Sequence, residues 1–522
     1  MQRIVFFASH LVLLWALLAL PFFFGAVHPM SYLSFSCAVG VTTLLVAWTF
    51  RRTDQDQARG YFSHFTGIVL AMLLAWLATI LVQIFVYQLF KEPHPVLGAV
   101  SPWVNLSGAS DGIILVMAFL GLFAITRLLL AQHPAGVAFI ENVVIAAGGI
   151  VTFVALGHWF YDSGSLFGVF APDNIFVSHR ARWPFVNANS LGHFLLIPLF
   201  LTVYRLREQA VSWREGIRLP ERLGRREVKQ ILLHRSSRKI VPQMSVLAVL
   251  LIAMLIAIAG TLSRGSWLGL AVGGAVLYLL HLRVHVPSLA VPELPPARRR
   301  RGRPLVALTE RLSEGIPWFF SRLVPPLIIC LALLFFLAGR GLDLVESRIE
   351  YSLLASKDDL RWILYRDSWR MFGDTPFFGV GFNNWLELYS RYASPALAGL
   401  NPEFLHSDPL QLIVEMGIVG ALPLLVLFVV LGRALLGLRG QDQGSRRARF
   451  LLCALLAVVT ASLLDFPFRI PAITMQFSVI LALTTFYLDQ LSSSAVRSKL
   501  SIPGNTDDNS GVESDTAVIL SS

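Results

Sequence analysis

Apolar runs of roughly twenty residues, separated by charged residues, proline and glycine, recur along most of this 522-residue chain. A run of that length crosses the hydrocarbon core of a bilayer as an α-helix. Because only 14% of the residues are charged and 55% are hydrophobic, the chain cannot cover a water-soluble globule of this size, and a soluble enzyme is excluded. The runs lie near 4–25, 30–50, 65–90, 112–131, 136–160, 190–205, 241–262, 265–282, 320–339, 409–432, 450–465 and 470–489. The sequence therefore predicts an all-α polytopic membrane protein with about 12 transmembrane helices.

Lysine and arginine are distributed unevenly among the loops that join these runs. If both termini are cytoplasmic, 31 of the 43 Lys and Arg residues fall on the cytoplasmic side, as the positive-inside rule requires. The run Arg298-Arg299-Arg300-Arg301 belongs to one of these loops, so orientation and contact with anionic membrane lipids explain it better than nucleic-acid binding. No nucleic-acid partner is predicted, and the net charge of +11 mostly reflects topology.

The same reading divides the chain into regions. We expect a transmembrane helical bundle over residues 1–490, a large loop on the side opposite the basic loops over 340–408, and a disordered cytoplasmic tail over 491–522 that is rich in Ser, Asp and Asn. The first apolar run is too long for a cleaved signal peptide and is expected to be retained. Because long loops in compact proteins usually carry function, the chemistry is expected on the side of the large loop.

Arg264 is the clearest ionisable residue near membrane depth, at the tight junction between the seventh and eighth runs. It could be an interfacial anchor beside Trp267. However, Gly265, Gly269 and Gly273 recur every four residues, which allows a second helix to pack closely and hold the guanidinium within the bundle. This spacing favours a functional arginine.

Inside the large loop the sequence predicts a helix that starts near residues 356–359 and ends near Gly373 and Pro376. Arg361 shares a face of this helix with Tyr365, and apolar residues border that face. Such surroundings suit a guanidinium that binds an anion.

Two other arginines of this helix have a simpler explanation. Arg366 and Arg370 lie one turn apart and can pair with Asp359 and Asp367 on a solvated face. After the helix, Gly379-Val380-Gly381 predicts a turn between two short outer helices, since glycine adopts the backbone conformations that turns require. A lone Gly-x-Gly is too weak a signal to predict a phosphate loop.

His406 comes directly before Ser407, Asp408 and Pro409, which resemble the start of the tenth run, with Ser407 or Asp408 as the helix cap. The positive end of a helix dipole favours a neutral imidazole that can accept a proton. Position alone supports catalysis and a structural role equally.

Five polar residues are weaker candidates for substrate binding. Arg182 and Asn189 precede the sixth run, Asn383 follows the glycine turn, and Asp465 and Arg469 flank the turn between the last two runs. Helix capping or interfacial packing would also explain them.

These residues together predict the chemistry of the site. Arginines and a histidine on one side of the membrane, without a Cys/His/carboxylate cluster of metal-ligand spacing, indicate an anionic substrate that is handled without a metal or other cofactor. Phosphate or pyrophosphate is the natural candidate. Displacing a lipid pyrophosphate from a sugar requires positive charge on the leaving group and a base for the incoming hydroxyl.

The sequence resembles the O-antigen ligase and O-antigen polymerase family of bacterial surface-glycan assembly. The resemblance covers about residues 140–490. Three stretches in this order carry it, namely Thr261-Leu262-Ser263-Arg264-Gly265, the stretch from Arg361 to Gly381 that includes Asp374-Thr375-Pro376-Phe377-Phe378-Gly379-Val380-Gly381, and His406-Ser407-Asp408-Pro409-Leu410-Gln411 running on to Glu415-Met416-Gly417.

The resemblance implies a multispan fold like that of the GT-C-like lipid-dependent glycosyltransferases, in the cell inner membrane. Such an enzyme moves a glycan from undecaprenyl diphosphate to an acceptor at the periplasmic face, with inversion and without a metal. The implied acceptors are lipid A core of lipopolysaccharide, a second lipid-linked glycan, or a protein. By motif match, Arg264 and Arg361 would bind the diphosphate, and His406 would orient or deprotonate the acceptor hydroxyl.

One departure and one alternative stay open. Many members of this family have His-Asn where this chain has His406-Ser407, which leaves the acceptor class undecided. A non-enzymatic transporter or flippase is the competing class. Transporter folds often contain internal repeats and half-helices near the bilayer midplane, and neither is evident in this sequence. The strongest polar residues lie instead on the side of the large loop, which favours surface chemistry.

Overall fold

The computed structural model describes residues 2–50, 64–89, 106–133, 136–161, 164–168, 180–216, 235–285, 360–397 and 402–500. These residues form helices and connecting turns, and no β-strand occurs among them. The helices are α1 (Gln2–Leu14), α2 (Pro29–Phe50), α3 (His64–Leu89), α4 (Leu106–Gln132), α5 (Gly136–Phe160), α6 (Ala188–Gly216), α7 (Arg235–Gly260), α8 (Arg264–His285), α9 (Leu360–Asp374), α10 (Trp385–Tyr389), α11 (Asp408–Gly437), α12 (Gln443–Ala461) and α13 (Pro471–Leu500).

Eight helices of the described ranges are long and apolar enough to cross a membrane. Their apolar segments are Ile4–Phe22, Pro29–Thr49, His64–Val86, Gly108–Gln132, Gly136–Phe160, Ile240–Gly260, Asp408–Gly437 and Pro471–Ser493. The predicted class, a multi-pass helical membrane protein, is therefore confirmed. Helices α6, α8 and α12 coincide with three further predicted runs but are not among these eight, and the run 320–339 lies outside the described residues.

Helix α13 occupies the centre of the bundle. Its apolar segment is 94% buried, whereas the segments of α3 and α7 are 22% buried and present most of their surface outward. Buried hydroxyls of α13 are satisfied in two ways. Thr484 and Thr485 donate within the helix, to the carbonyl oxygens of Ile480 and Ala482, whereas Ser478 donates to that of Phe119 in α4. This satisfies the demand for internal hydrogen bonds that an apolar environment imposes.

The glycines of α8 allow the close helix packing that their spacing predicts, and the helix that packs against them is α12. A Cβ atom added to Gly265 would lie 2.9 Å from the carbonyl oxygen of Ala461, and one added to Gly269 would lie 2.3 Å from that of Ala457. Only glycine permits so close an approach of two helix backbones. The start of α8 is thereby held against the end of α12.

Helix α9 ends at Asp374 as predicted, while its predicted start at 356–359 lies outside the described residues. Arg366 and Arg370 both lie near Asp367, at 3.6 and 3.8 Å. The carboxylate of Asp367 is buried, however, and accepts hydrogen bonds from the backbone N–H and hydroxyl of Ser394. The prediction of a solvated face was therefore wrong for Asp367, whose side chain is buried between α9 and the chain at Ser394.

The predicted turn between two short outer helices is confirmed, and it has a further role. Gly379 follows α9, and its backbone lies so close to α11 that a Cβ atom would come within 2.4 Å of the carbonyl carbon of Glu415. Helix α11 opens at this level, where Gly417 takes a left-handed φ of 64°. The freed N–H groups of Ile418 and Val419 donate to the turn, to the carbonyl oxygens of residues 376 and 377.

Gln83 of α3 ties this junction to the bundle. Its side-chain amide donates to the backbone carbonyl oxygens of Phe378 and Glu415 and accepts from the N–H of Phe382 at 3.0 Å. One buried glutamine thus binds three backbone groups of the junction, of which the carbonyl oxygen of Glu415 also accepts from the N–H of Gly381. The outer helices are fixed to the membrane bundle at this point.

Candidate active site

The short turn between α12 and α13 carries the residue around which the candidate site is built. Asp465 is only 2% exposed, and its two carboxylate oxygens face two histidines. Its Oδ1 lies 3.5 Å from Nδ1 of His406, and its Oδ2 lies 4.0 Å from Nε2 of His193. Oδ1 also accepts from the backbone N–H of Phe466 at 3.1 Å, which fixes the carboxylate relative to its own turn. We call this end of the bundle the site end.

His406 is held in a defined place at the mouth of this arrangement. Its backbone has a φ of 59°, an uncommon conformation for a residue with a side chain. The phenol of Tyr365 donates to the carbonyl oxygen of His406 at 2.9 Å. The imidazole ring of His406 packs edge-on against the ring of Phe466, with 5.0 Å between the ring centres. The imidazole remains 30% exposed, so one ring nitrogen faces Asp465 while the ring stays accessible.

The start of α11 corrects one prediction. Ser407 occupies the cap position, but its side chain makes no capping hydrogen bond. The carboxylate of Asp408 accepts instead from the backbone N–H of Phe468 at 2.9 Å. Its own N–H donates to the carbonyl oxygen of Asp465 at 3.1 Å. The helix start is therefore secured by the α12–α13 turn, which also brings His406 to Asp465.

Arg361 reaches the same turn from α9. Its Nη1 donates to the carbonyl oxygen of Leu464 at 3.1 Å. Burial on its own would raise the pKa of the Asp465 carboxyl. The hydrogen bond with His406 and the charges of His193, His406 and Arg361 outweigh burial and lower that pKa. Asp465 is thus a carboxylate at neutral pH.

Arg264 is the first residue of α8. The next residue, Gly265, lies against His193, because a Cβ atom added there would be 3.1 Å from His193 Nε2. The helix start is closed by Ser263, whose hydroxyl accepts from the N–H of Ser266 at 3.2 Å. Arg264 therefore begins α8 beside the histidine that faces Asp465, and a helix N-terminus favours an anion there.

Arg182 and Asn189 lie beside the α7–α8 turn. Asn189 accepts through its side-chain oxygen from Arg180, whose Nε donates to the carbonyl oxygen of Thr261 at 2.6 Å. The Arg182 guanidinium lies 5.1 Å from the ring centre of Trp183 and is largely buried. These contacts stabilise the segment that leads into Arg264.

Asn383 and Arg469 belong to a neighbouring buried network. Arg469 donates to Glu415 at 2.7 Å and to the side-chain oxygen of Asn383 at 2.9 Å, and its Nε lies 3.9 Å from Asp408. The Asn383 amide donates to the carbonyl oxygen of Gly108 at 2.7 Å. The network links α4, α11 and the α12–α13 turn, and it meets the Asp465 arrangement through Asp408.

Sequence reasoning missed His193, Glu415 and Gln83. Each is a polar residue within or beside an apolar run, and that is the signal which could have found them. In the sequence, this signal identified Arg264 alone. The sequence pattern also suggested that Asp465 binds substrate, whereas in the structure its carboxylate faces the side chain of His406.

Comparison with known families gives one match. Residues 249–425 match the family model described as O-antigen ligase. The match begins within α7, ends within α11, and contains Arg264, Arg361 and His406. No curated protein matches the chain. The resemblance predicted from the motifs is confirmed over this range.

Proposed function

We propose that this chain, which belongs to the O-antigen ligase family over residues 249–425, is a metal-independent membrane glycosyltransferase. It moves a glycan from undecaprenyl diphosphate to an acceptor hydroxyl, in ligation or polymerisation of O-antigen or another surface polysaccharide. The observation that carries the proposal is that Arg361 and His406 both reach the turn of Asp465, while Arg264 begins α8 beside His193, whose Nε2 faces the same carboxylate.

The proposal includes the finer architecture and location. The bundle has about twelve spans with a GT-C-like arrangement over residues 1–490, a large loop over 340–408 and a tail over 491–522. The first ten residues of this tail, 491–500, continue α13 as a helix. Both termini are cytoplasmic, and the site end faces the periplasm from the inner membrane. The basic loops that follow the positive-inside rule support this orientation.

The reaction breaks the bond between the anomeric carbon and the diphosphate oxygen and forms a bond from that carbon to the acceptor oxygen. Attack from the face opposite the diphosphate gives inversion. The leaving group gains negative charge, and Arg264 and Arg361 stabilise it with charge-assisted hydrogen bonds. The acceptor hydroxyl loses its proton to His406, which acts as the base or orients the hydroxyl.

Asp465 prepares His406 for that role. A proton on Nδ1 directed at Oδ1 of Asp465 leaves Nε2 as the acceptor, and the carboxylate stabilises the imidazolium that forms. The tautomer follows from this hydrogen-bond geometry. Because the pKa of Asp465 is lowered, its charge is present throughout the range in which a histidine base works.

The four remaining candidates act around this centre. The contacts of Arg182 and Asn189 favour support of the Arg264 turn, and those of Asn383 and Arg469 favour support of the outer turn beside the site. We therefore propose that they position the binding surface and that the first two also border the path of the glycan.

The test is transfer by the purified full chain. The protein is reconstituted in liposomes with an undecaprenyl-diphosphate glycan and, in turn, lipid A core, a second lipid-linked glycan, and a protein acceptor, all in the presence of EDTA. We expect transfer to one acceptor class with inverted linkage. Movement of the glycan across the bilayer without transfer to any acceptor would establish the transporter alternative, and loss of transfer on adding EDTA would overturn metal independence.

A further inference from the structure

His193 is a buried ionisable residue for which the mechanism above has no use. It lies in the first turns of α6, is only 1% exposed, and directs Nε2 towards Oδ2 of Asp465 across 4.0 Å. Among the described residues Nε2 has no hydrogen-bond partner. A buried imidazole nitrogen without a partner is costly, and its orientation towards a carboxylate needs an explanation.

Two glycines shape the space around this ring. A Cβ atom added to Gly265 of α8 would lie 3.1 Å from His193 Nε2, and one added to Gly192 would lie 2.3 Å from the hydroxyl oxygen of Ser266. Helices α6 and α8 therefore meet closely at this level. A larger residue at Gly265 would push against the ring of His193, and one at Gly192 would push against Ser266 of α8.

The charged groups around Asp465 come from every element that packs there. His406 precedes α11, Arg361 comes from α9, and Arg264 starts α8 beside Gly265. Asp408 meets the turn through its own N–H. Of these groups, His406 faces Oδ1, and His193 faces Oδ2 from the interior of the bundle.

We propose that His193 is a positioning residue: its Nε2–H holds Oδ2 of Asp465, so that Oδ1 stays directed at His406. The inference rests on the proposed transferase function and adds a second histidine to its machinery. The 4.0 Å separation is longer than a hydrogen bond, and hydrogen bonds within catalytic sites are often long in the free enzyme and shorten when substrate is bound. His193 exchanges no proton with substrate.

The proposal has a consequence that simple packing lacks. A donor aimed at a carboxylate favours its charged form, and burial opposes that form. Replacing His193 by an apolar residue removes the donor while burial remains. The pKa of Asp465, which is lowered in the native protein, then rises. Asp465 loses its charge at a higher pH, and with it the support that it gives to His406.

The experiment compares two variants and a control in full-length protein reconstituted in liposomes. His193→Leu removes the donor, and His193→Gln places an amide N–H close to the position of Nε2. Thr202→Val is the control, since this buried α6 residue donates to the carbonyl oxygen of Pro198 within its own helix. Glycan transfer is followed against pH at saturating donor and acceptor.

For His193→Leu we expect kcat to fall about tenfold, because Oδ2 is no longer held and Oδ1 is no longer kept directed at His406. We also expect the acid limb of the profile to move up by about one pH unit. The KM for the lipid-linked donor should stay within about twofold, because both arginines remain. His193→Gln should restore the position of the limb, and Thr202→Val should match the wild type. An unmoved limb in His193→Leu, or equal loss in the leucine and glutamine variants, would overturn the inference.

A second readout does not need turnover. The protonated carboxyl of Asp465 has an infrared C=O band, identified by its loss in Asp465→Asn. We expect this band to appear at a higher pH in His193→Leu than in the wild type and His193→Gln. Identical titrations would overturn the inference even if no acceptor supported transfer. Absence of transfer by the wild type, with a shifted band, would instead remove the transferase proposal and leave the positioning contact standing. If His193→Leu does not fold, His193→Asn, whose amide lies nearer the helix, replaces it.

Discussion

The two ends of the helix bundle both contain buried carboxylates, but their partners differ. At the end opposite the site, Glu141 of α5 is fully buried and lies 3.2 Å from Arg205 of α6 and 3.0 Å from Arg447 of α12. At the site end, Asp465 faces two histidines and Arg361. Arginine keeps its proton under all ordinary conditions, whereas histidine gains and loses one near neutral pH.

A second ion pair at the opposite end has the same character as the first. Asp489 of α13 accepts from Arg127 of α4 at 2.9 Å and from the hydroxyl of Thr66 at 2.6 Å. It also accepts from the N–H of Phe65 at the start of α3. The arginines that pair with Glu141 and Asp489 keep their charge and hold several helices together. The histidines beside Asp465 can gain or lose a proton, which a catalytic base must do. The comparison teaches that burial of a carboxylate does not identify a site, whereas the identity of its partners does.

The largest expected effect is the loss of either arginine that is assigned to the site end. Arg264→Ala and Arg361→Ala should each lower kcat/KM by about a thousandfold or more, because the leaving diphosphate loses a charge-assisted donor. Transfer assays on reconstituted protein measure this, with membrane content checked by immunoblotting. Arg370→Ala is the matched control on α9, since this arginine is exposed beside Asp367. Retained activity in either variant would remove that arginine from the site.

The next effect concerns His406. His406→Ala should lower kcat by about a hundredfold or more, with an almost unchanged KM for the donor, because proton transfer or hydroxyl orientation is lost while the arginines remain. The measurement is initial rate against donor concentration. His133→Ala, at the end of α4, is the control. Near wild-type transfer in His406→Ala would show that this histidine is structural.

Glu141→Gln tests the opposite end. It leaves Arg205 and Arg447 without their carboxylate in a buried place, which typically costs about 3–5 kcal/mol of stability. We expect a lower thermal midpoint in detergent and less protein in the membrane, with unchanged kcat per folded molecule. Asp465→Asn should show the reverse pattern, with strong loss of activity and small loss of stability. Equal patterns in the two variants would remove the distinction between the ends.

The smallest effect is a pH dependence of stability. The pKa of Asp465 is lowered in the folded protein, so its contribution is complete above the ordinary aspartate value and is lost as the pH falls through the lowered value. The difference in thermal midpoint between wild type and Asp465→Asn should therefore shrink below about pH 4. A difference that is constant between pH 7 and pH 3 would contradict the lowered pKa. Asp374→Asn, an exposed aspartate at the end of α9, serves as the control.

The residues that sequence reasoning identified are those whose signal is local. The length of the apolar runs predicted the membrane class, and the four-residue spacing of Gly265, Gly269 and Gly273 predicted a close helix pair. The end of α9 and the turn at Gly379 also followed from neighbouring residues. The predicted cap at Ser407 failed because a distant turn supplies the contacts of that helix start.

The relations within the site could not be predicted in the same way. Asp465 and His406 are 59 residues apart, and Gln83 is 332 residues from the carbonyl of Glu415 that it binds. No periodicity connects such positions, since their contact depends on how whole helices pack. The same holds for Asp465, whose local sequence suggested a substrate contact and whose surroundings make it the partner of His406.

The sequence by itself determined that this protein lies in a membrane and that its motifs resemble those of O-antigen ligases. Those properties follow from the length of the apolar runs, the placement of charged residues and the short motifs. Only the tertiary structure decided that His406 and His193 face the carboxylate of Asp465 and that Arg361 reaches the same turn. The physical reason is that hydropathy is additive along a chain, whereas the proton affinity of a side chain depends on the charges and donors that the fold brings to it.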